Sequence, residues 1–448
     1  MADRGRQFRV VLAGITLAGL AWRVIYVMAW RRHAVVWGDA FYYHHGANLL
    51  ADGHGFIEPV DYLLQHVRVE AADHPPVYLL YLTAVTLVGL RTVTAHLLAS
   101  CLVGGATIAV TGLAGRAIAG ARVGLVAAAL VAVYPNIWSE DTMLQSETFA
   151  LLAVSTTVLL AYRYWQRPSL ARAAALGATV ALAALSRAEL LLLSVLVIVP
   201  LILLASSLTR AARARHVALA AVVCAAVVAP WVGYNLSRFE KPVYLSSGFE
   251  ITLASGTCDR TYYGEAIGYW SIYCVTDILD KRGLTLTNSD ESTRAAAYKE
   301  ESLDYIGDHL DRIPAVLLAR WGRITGLYRP LQQAGFDIFP EGRDKWVAYT
   351  SLGGYYVLAV LAVFGGRVLR RRDILVFPLL APIVTVFVSV TLTFAQTRYR
   401  ASAEGVLCLL AAVAIDAGIG FIGRARVDDT REREWPQPIE RELVATTG

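Results

Sequence analysis

The sequence predicts an all-α protein that crosses a membrane many times. Apolar residues make up 56% of the 448 residues and charged residues only 17%. The apolar residues fall in runs of roughly 18 or more, the length that a helix needs to cross about 30 Å of hydrocarbon. Arginines cluster beside these runs, where they set membrane orientation, so the net charge of +5 does not indicate a nucleic-acid partner. No alternating pattern suggests a β-barrel.

The apolar runs predict a bundle of about ten to twelve transmembrane helices. They lie at 8–30, 76–90, 93–115, 121–138, 147–165, 169–186, 189–207 and 216–235, and after a long polar segment at 349–366, 374–394 and 400–421. The first run is too long for a signal-peptide core and lacks a cleavage site, so we expect it to remain as an anchor. An even number of spans before the polar segment would put that segment on the wrong side, and the short run 76–90 is the candidate for a partial span.

Basic clusters orient the chain. Those at 4–9, 163–172, 210–215 and 367–372 are assigned to the cytoplasm. The polar segments 31–75, 139–147, 186–189, 236–348 and 396–400 then face outside. We therefore divide the chain into a transmembrane module, 1–235, with a first external loop, 31–75; an external region, 236–348; C-terminal transmembrane helices, 349–422; and a cytoplasmic tail, 423–448, predicted to be disordered. The Arg- and Ala-rich, Lys-poor composition is typical of a GC-rich bacterium, which suggests the inner membrane.

The external region contains two features of its own. Cys258 and Cys274 flank a stretch rich in Tyr and Gly, and they are either a disulfide, which this location permits, or two free thiols. Apolar residues at helical spacing within 292–328 predict an amphipathic helix lying along the membrane surface: Leu303, Ile306, Leu310 and Ile313. The aromatic side chains of this region could stack on a sugar or lie at the headgroup level.

The stretch WGDAFYYHHGANLLADGHGF, 37–56, directly follows the first span and contains two Asp, three His and two Tyr. Asp39 in this stretch could act as a general base, because burial among aromatic neighbours would raise its pKa toward neutral pH. Alternatively, Asp39 only caps the helix that follows. Tyr43 and His44 are further candidates for a site here.

More polar residues lie at the same predicted face of the membrane. Asp73 and His74 precede two prolines, where they could bind a phosphate or sugar oxygen, or simply begin a helix. The turn WSEDTMLQSE holds three carboxylates that are either site residues or helix N-terminal acids: Glu140, Asp141 and Glu147.

Three arginines could bind a phosphate at this face. Arg187, with Glu189, interrupts a long apolar stretch, which marks a hairpin or a site. Arg398 and Arg400 lie at the outer end of the last span, where arginine is under-represented and two of them require a reason. Arg400 could instead pair with Glu404, four residues further along a helix.

In combination, these segments resemble the GT-C superfamily of polytopic glycosyltransferases, in its protein-mannosyltransferase and aminoarabinose-transferase-like branch. The resemblance follows the chain in order through GDAFYYHHGANLLADGHGF, HPPVYLLYL, YPNIWSEDTMLQSETFALL, ALSRAELLLL and TRYR. It implies a GT-C-like bundle, a catalytic acid at Asp39, and a polyprenyl-phosphate sugar as donor. The chain departs from members with two adjacent acids, since Ala40 follows Asp39; Glu58, Asp61 or Asp73 could supply a second carboxylate.

The resemblance implies an inverting transfer on the external or periplasmic face. Asp39 would deprotonate an acceptor hydroxyl on a glycan, glycolipid or protein, while Arg398, Arg400, Arg187 and His74 offset the charge of the departing phosphate. This scheme needs neither a metal ion nor a cofactor. Two other functions remain open: an oligosaccharide polymerase or ligase using diphosphate-linked glycans, and a lipid or solute transporter. The sugar and the acceptor stay undetermined.

Overall fold

The computed structural model describes residues 2–433, and helices dominate this part of the chain. The only β-type pairing among these residues is a single bridge between Ile57 and Glu70. The predicted all-α class is therefore confirmed.

The N-terminal part contains the first long apolar helices and two shorter helices within the segment 31–75. Its helices are α1 (Ala2–Tyr26), α2 (Gly38–Ala51), α3 (Pro59–Gln65), α4 (Val77–Leu87), α5 (Val93–Ala119), α6 (Ala121–Val133), α7 (Pro135–Trp138), α8 (Glu147–Gln166), α9 (Leu170–Ala184), α10 (Val199–Leu203) and α11 (Arg210–Leu236). A π-helical turn, Val27–Arg31, extends α1, and another, Ser194–Ile198, precedes α10. Short 3-10 turns lie at Glu140–Thr142 and Ala188–Leu192.

The external region contains six shorter helices, followed by the three C-terminal ones. The external helices are α12 (Gly248–Ser255), α13 (Asp259–Tyr262), α14 (Ile272–Arg282), α15 (Glu291–Asp308), α16 (Ile313–Ile324) and α17 (Pro330–Ile338). The last helices are α18 (Lys345–Arg371), α19 (Phe377–Leu392) and α20 (Ala401–Arg433), with a 3-10 turn, Thr397–Arg400, before α20. Residues 423–433 belong to α20, and the rest of the predicted disordered tail, 434–448, lies outside the described residues.

Small residues allow the helices of the membrane bundle to approach closely. Gly120, at φ +101°, makes the tight turn between α5 and α6. A Cβ on Gly124 would lie 2.4 Å from the carbonyl oxygen of Gly112, so only glycine fits where these helices cross. One apolar cluster then extends from α1 through α5, α6 and α8 to α18 and α20. This packing fixes the helix ends that carry the polar residues.

Fewer helices satisfy a strict criterion for a span than the sequence predicts. Five described helices are long and apolar enough to cross a bilayer, and α6 with the bent segment Pro135–Thr142, at 61°, makes a sixth. Four shorter apolar helices account for other predicted runs: Val77–Leu87, Leu170–Ala184, Ala188–Leu203 and Phe377–Leu392. Val77–Leu87 would extend only about 16 Å at 1.5 Å per residue, which agrees with a partial span.

The external region contains a disulfide and an interrupted helical segment. Cys258 and Cys274 form a disulfide, with Cα atoms 5.6 Å apart. The segment predicted to form an amphipathic helix is helical on both sides of His309, where it divides into α15 and α16, and its position along the membrane surface stays a prediction. Helix α15 packs on α12 and α14, whereas α16 packs on α19. Leu303 and Leu310 stay exposed, so the predicted apolar stripe is only partly buried.

Candidate active site

A cavity of about 820 Å³ lies where the polar segments meet. Each of the five segments predicted to face outside contributes to its lining: 31–75, 139–147, 186–189, 236–348 and 396–400. Helix α19 supplies an apolar part of the wall through Val388 and Leu392. The cavity therefore combines polar groups from distant parts of the chain with an apolar side.

Asp39 lies at the polar wall, in the first turn of α2. Its Oδ2 is 2.7 Å from Nη1 of Arg398, and its Oδ1 is 3.6 Å from Nε2 of His74. The N-cap of α2 is Trp37, without a side-chain cap hydrogen bond, so the interpretation of Asp39 as a helix cap is wrong. The carboxylate is held between two cationic side chains instead.

The two cations determine the protonation of Asp39. Burial opposes its ionisation, but Arg398 and His74 outweigh burial and lower the pKa of Asp39 well below its usual range. The expected rise of this pKa toward neutral pH is therefore wrong. Burial also disfavours the charged form of His74, but Asp73 and Asp39 prevail and raise the pKa of His74 to about 9. Both groups are charged at neutral pH.

Glu147 connects two of the predicted arginines. It is the first residue of α8, and its Oε1 pairs with Arg187 and lies 3.7 Å from Nε of Arg398. Arg187 also pairs with Glu189 at 2.6 Å, and its guanidinium lies over the ring of Tyr399, 5.0 Å from the centroid. The interruption of the apolar stretch at Arg187 is thus part of this cavity.

Comparisons with known proteins identify the architecture. The sequence model of the dolichyl-phosphate-mannose-protein mannosyltransferase family matches residues 73–234. The solved oligosaccharyltransferase AglB from Archaeoglobus fulgidus, in complex with an inhibitory peptide and a dolichol-phosphate, superposes with a TM-score of 0.55 at 15% identity. That match covers 97% of this chain and 53% of AglB. The chain has the GT-C fold.

The predicted resemblance to the GT-C superfamily is thereby confirmed. ArnT from Cupriavidus metallidurans, bound to undecaprenyl phosphate, is a further structural match, with a TM-score of 0.42, 16% identity, and coverage of 91% of this chain and 78% of ArnT. No curated protein sequence matched the chain. The chain spans about half the length of AglB.

The GT-C fold adds two residues to the cavity that the sequence did not single out. Glu341 precedes α18, and its Oε2 is 3.5 Å from the same Nη1 of Arg398 that binds Asp39. Burial raises the pKa of Glu341, and Asp39 adds to this effect while Arg398 opposes it. Gln145 accepts a hydrogen bond of 2.7 Å from Arg398. Glu341 lies in none of the quoted motifs, and Gln145 lies in the turn WSEDTMLQSE, where only the carboxylates drew attention, so the fold was needed to identify both.

Several predicted site residues lie elsewhere in the GT-C fold. Arg400 does not line the cavity: its guanidinium pairs with Glu404 and donates to the carbonyl oxygen of Ile324. Residues two apart in a 3-10 turn point in different directions, so Arg398 and Arg400 do not face one phosphate site here. The alternative of an i,i+4 pair describes Arg400 correctly.

The three carboxylates of the turn WSEDTMLQSE also lie in different surroundings, and only Glu147 contacts the arginines of the cavity. Glu140 is buried against Arg343, and Asp141 pairs with Arg23 at 2.7 Å, so these two carboxylates form buried ion pairs and do not line the cavity. His44 likewise faces away from the cavity, with its Nδ1 3.1 Å from that of His96.

The remaining candidates lie close to the cavity. The ring of Tyr43 lies 5.0 Å from that of His74, beneath the wall. Among the three proposed second carboxylates, Asp73 lines the cavity, 3.6 Å from His74, whereas Glu58 and Asp61 do not. Glu341 is a fourth candidate for the second carboxylate. Among these four, it is the one that lies within 4 Å of the Arg398 nitrogen that binds Asp39. Of the external aromatic residues, Phe249 and Trp270 line the cavity.

Proposed function

We propose that this protein is an integral-membrane glycosyltransferase that moves a sugar from a polyprenyl-phosphate carrier to an acceptor hydroxyl, with Asp39 as the base. The observation that carries the proposal is the position of Asp39. Its carboxylate lies between Arg398 and His74, at a cavity with one polar and one apolar side. The match to the mannosyltransferase family supports the same class of chemistry.

The proposed reaction is a single displacement. The acceptor oxygen forms a bond to the anomeric carbon, and Asp39 takes the hydroxyl proton. The bond between the anomeric carbon and the phosphate oxygen breaks on the opposite face, and its electron pair stays on the phosphate. The anomeric centre is inverted. A carboxylate that takes the proton and cationic groups at the same wall that offset the phosphate charge suit an oxocarbenium-like transition state.

The cations that hold Asp39 have a further proposed role. Arg398 and His74 keep Asp39 ionised and ready to accept a proton, but they also make it a weak base. A phosphate bound beside them would draw on their charge, because an anion competes with Asp39 for the same positive groups. Donor binding would thus raise the pKa of Asp39 when the acceptor arrives. Arg187 contributes positive charge to the same wall.

The apolar side of the cavity suits a lipid tail. Val388 and Leu392 of α19 line the cavity and also an adjoining apolar groove, which continues along the helix past Val384 and Phe387. We assign this groove to the first isoprene units of the carrier. The sugar phosphate would then lie at the polar wall, at the depth where a lipid phosphate leaves the hydrocarbon.

The location and the acceptor are proposed on the same basis. Arginine-rich loops predicted to lie on the cytoplasmic side support a cavity at the external face of the membrane, which we take to be the periplasmic side of a bacterial inner membrane. The external region supplies Phe249 and Trp270 to the wall, so it is where we expect an acceptor glycan, glycolipid or protein to bind.

The test is sugar transfer by the purified protein in lipid vesicles. A panel of polyprenyl-phosphate sugars, with a diphosphate-linked glycan added for comparison, is offered together with a crude envelope fraction as acceptor. Asp39→Asn should lower the rate by about a hundred- to ten-thousandfold, the usual contribution of a general base. The matched control is Asp52→Asn in the same loop, where an exposed carboxylate pairs with Arg91. Equal transfer by wild type and Asp39→Asn would exclude Asp39 as the base, and transfer from the diphosphate donor alone would replace the monophosphate proposal.

A further inference from the structure

We propose that Arg31 binds the phosphate of the lipid-linked donor, an inference that rests on the proposed function. The three predicted cations of the cavity are already paired with carboxylates. Arg31, which no sequence pattern singled out, is not.

The position of Arg31 fits a lipid phosphate. It is the last residue of the π-helical turn Val27–Arg31, at the outer end of the first span, and it lines the cavity. Single π-helical turns are frequent at functional sites. Arginine is also under-represented at the outer ends of spans, where the headgroup phosphates lie.

The cationic side chains of the cavity differ in whether they have a carboxylate partner. Arg398 is within 4 Å of Asp39, Glu147 and Glu341, and Arg187 pairs with two carboxylates. His74 lies between Asp39 and Asp73. Within residues 2–433, Arg31 has no carboxylate at ion-pairing distance. An incoming phosphate can therefore bind Arg31 without displacing an anion.

The guanidinium of Arg31 also retains hydrogen-bonding capacity. Its Nη1 donates to the carbonyl oxygen of Gly342 at 3.1 Å, which orients the group. Its Nε is buried and has no acceptor among the described residues. A buried charged donor without an acceptor is unfavourable, and a phosphate oxygen would satisfy it through a charge-assisted hydrogen bond.

The turn 340–342 connects Arg31 to the catalytic wall. Gly342 adopts φ +69°, and a Cβ there would lie 3.1 Å from the ring of Trp37, two residues before Asp39. Glu341 of the same turn contacts Arg398. Arg31 and Asp39 therefore line the same cavity, and the turn 340–342 contacts the segments that carry both of them. During transfer, the electron pair of the broken bond stays on the phosphate oxygen, and the Arg31 guanidinium offsets its charge.

The experiment measures binding, not transfer. Undecaprenyl phosphate and undecaprenol are titrated into the full-length protein in lipid nanodiscs, and binding is followed by native mass spectrometry. Arg31→Gln should weaken phosphate binding about ten- to hundredfold, as expected for one charge-assisted hydrogen bond, and leave binding of the alcohol unchanged. Arg31→Lys keeps the charge but loses the planar guanidinium fork, so its affinity for the phosphate should lie between those of wild type and Arg31→Gln. Arg32→Gln, at the exposed neighbouring position outside the cavity, should match wild type.

The outcomes separate this inference from the proposed function. Wild type that prefers the phosphate over the alcohol, with Arg31→Gln binding equally well, would refute the role of Arg31 and leave the transferase proposal in place. Wild type with no preference would overturn both. An excess of phosphatidylglycerol should not displace undecaprenyl phosphate from the protein. If phosphatidylglycerol displaced it as well as unlabelled undecaprenyl phosphate does, Arg31 would be a contact for ordinary anionic lipid, and the donor assignment would be refuted. Thermal unfolding of both Arg31 variants should match wild type, since Arg31 makes a single backbone hydrogen bond within the described chain.

Discussion

Replacing His74 by glutamine should remove the alkaline limb from the pH dependence of sugar transfer. Asp73 and Asp39 outweigh burial and raise the pKa of His74 from 6.5 to about 9. This difference corresponds to roughly 3 kcal/mol of preference for the protonated form. Because the folded-state pKa is the higher one, this stabilisation is fully present below about pH 6.5 and is lost as the pH rises through about 9.

The effect on catalysis follows from the contact with Asp39. Protonated His74 lies 3.6 Å from the carboxylate and helps to keep it in place. Wild-type transfer should therefore fall as the pH passes about 9, whereas His74→Gln should start about ten- to hundredfold lower at pH 7 and show no such fall. Asp39, whose pKa in the free protein lies well below its usual range, should contribute no acid limb to kcat/KM between pH 7 and 5.

The assay is the initial rate of transfer between pH 6 and 10, with thermal unfolding recorded over the same range. His33→Gln serves as the control, since His33 is an exposed histidine in the same external loop. The melting temperature of wild type should drop more steeply above pH 8 than that of His74→Gln. An alkaline limb that persists unchanged in His74→Gln would refute the assignment.

Two further predictions concern stability. Gly104→Ala would place a Cβ 2.1 Å from Oδ2 of Asp141 and 2.9 Å from Nε of Arg23; because both side chains are buried, breaking their ion pair should cost about 3–5 kcal/mol. Thermal unfolding in detergent checks this against Gly14→Ala, where the Cβ meets open space, and equal melting temperatures would contradict it. Exchanging Cys258 and Cys274 together for serine should destabilise the external region by about 3 kcal/mol, because the bridge closes a loop of 16 residues. A reducing agent should reproduce this loss in wild type but not in the double variant; no change in either would show that the bridge adds no stability.

The sequence predicted the parts of the site that depend on local pattern. Apolar runs identified the helices, and the arginine clusters predicted which loops share one side of the membrane. Those loops do share one cavity, and Asp39, His74, Asp73 and Arg187 line it. Such residues could be found because a polar side chain at the end of an apolar run is conspicuous.

Other features could not be predicted because they depend on contacts between distant segments. Asp39 looked like a base with a raised pKa, since the sequence shows its apolar neighbours but not Arg398 at 2.7 Å. Glu341 and Arg31 had no distinguishing pattern, and the turn at Gly342 brings them to the wall.

Arg398 and Arg400 illustrate the division between the two sources of information. The sequence by itself determined that both arginines lie at the N-terminal end of the last apolar helix, because hydrophobicity fixes where a helix leaves the membrane. Only the tertiary structure decided that Arg398 lines the cavity while Arg400 pairs with Glu404 inside the bundle. The physical reason is that the energy of a charge depends on its nearest partners and its burial, and in this chain the partners of Arg398 come from segments far away in sequence.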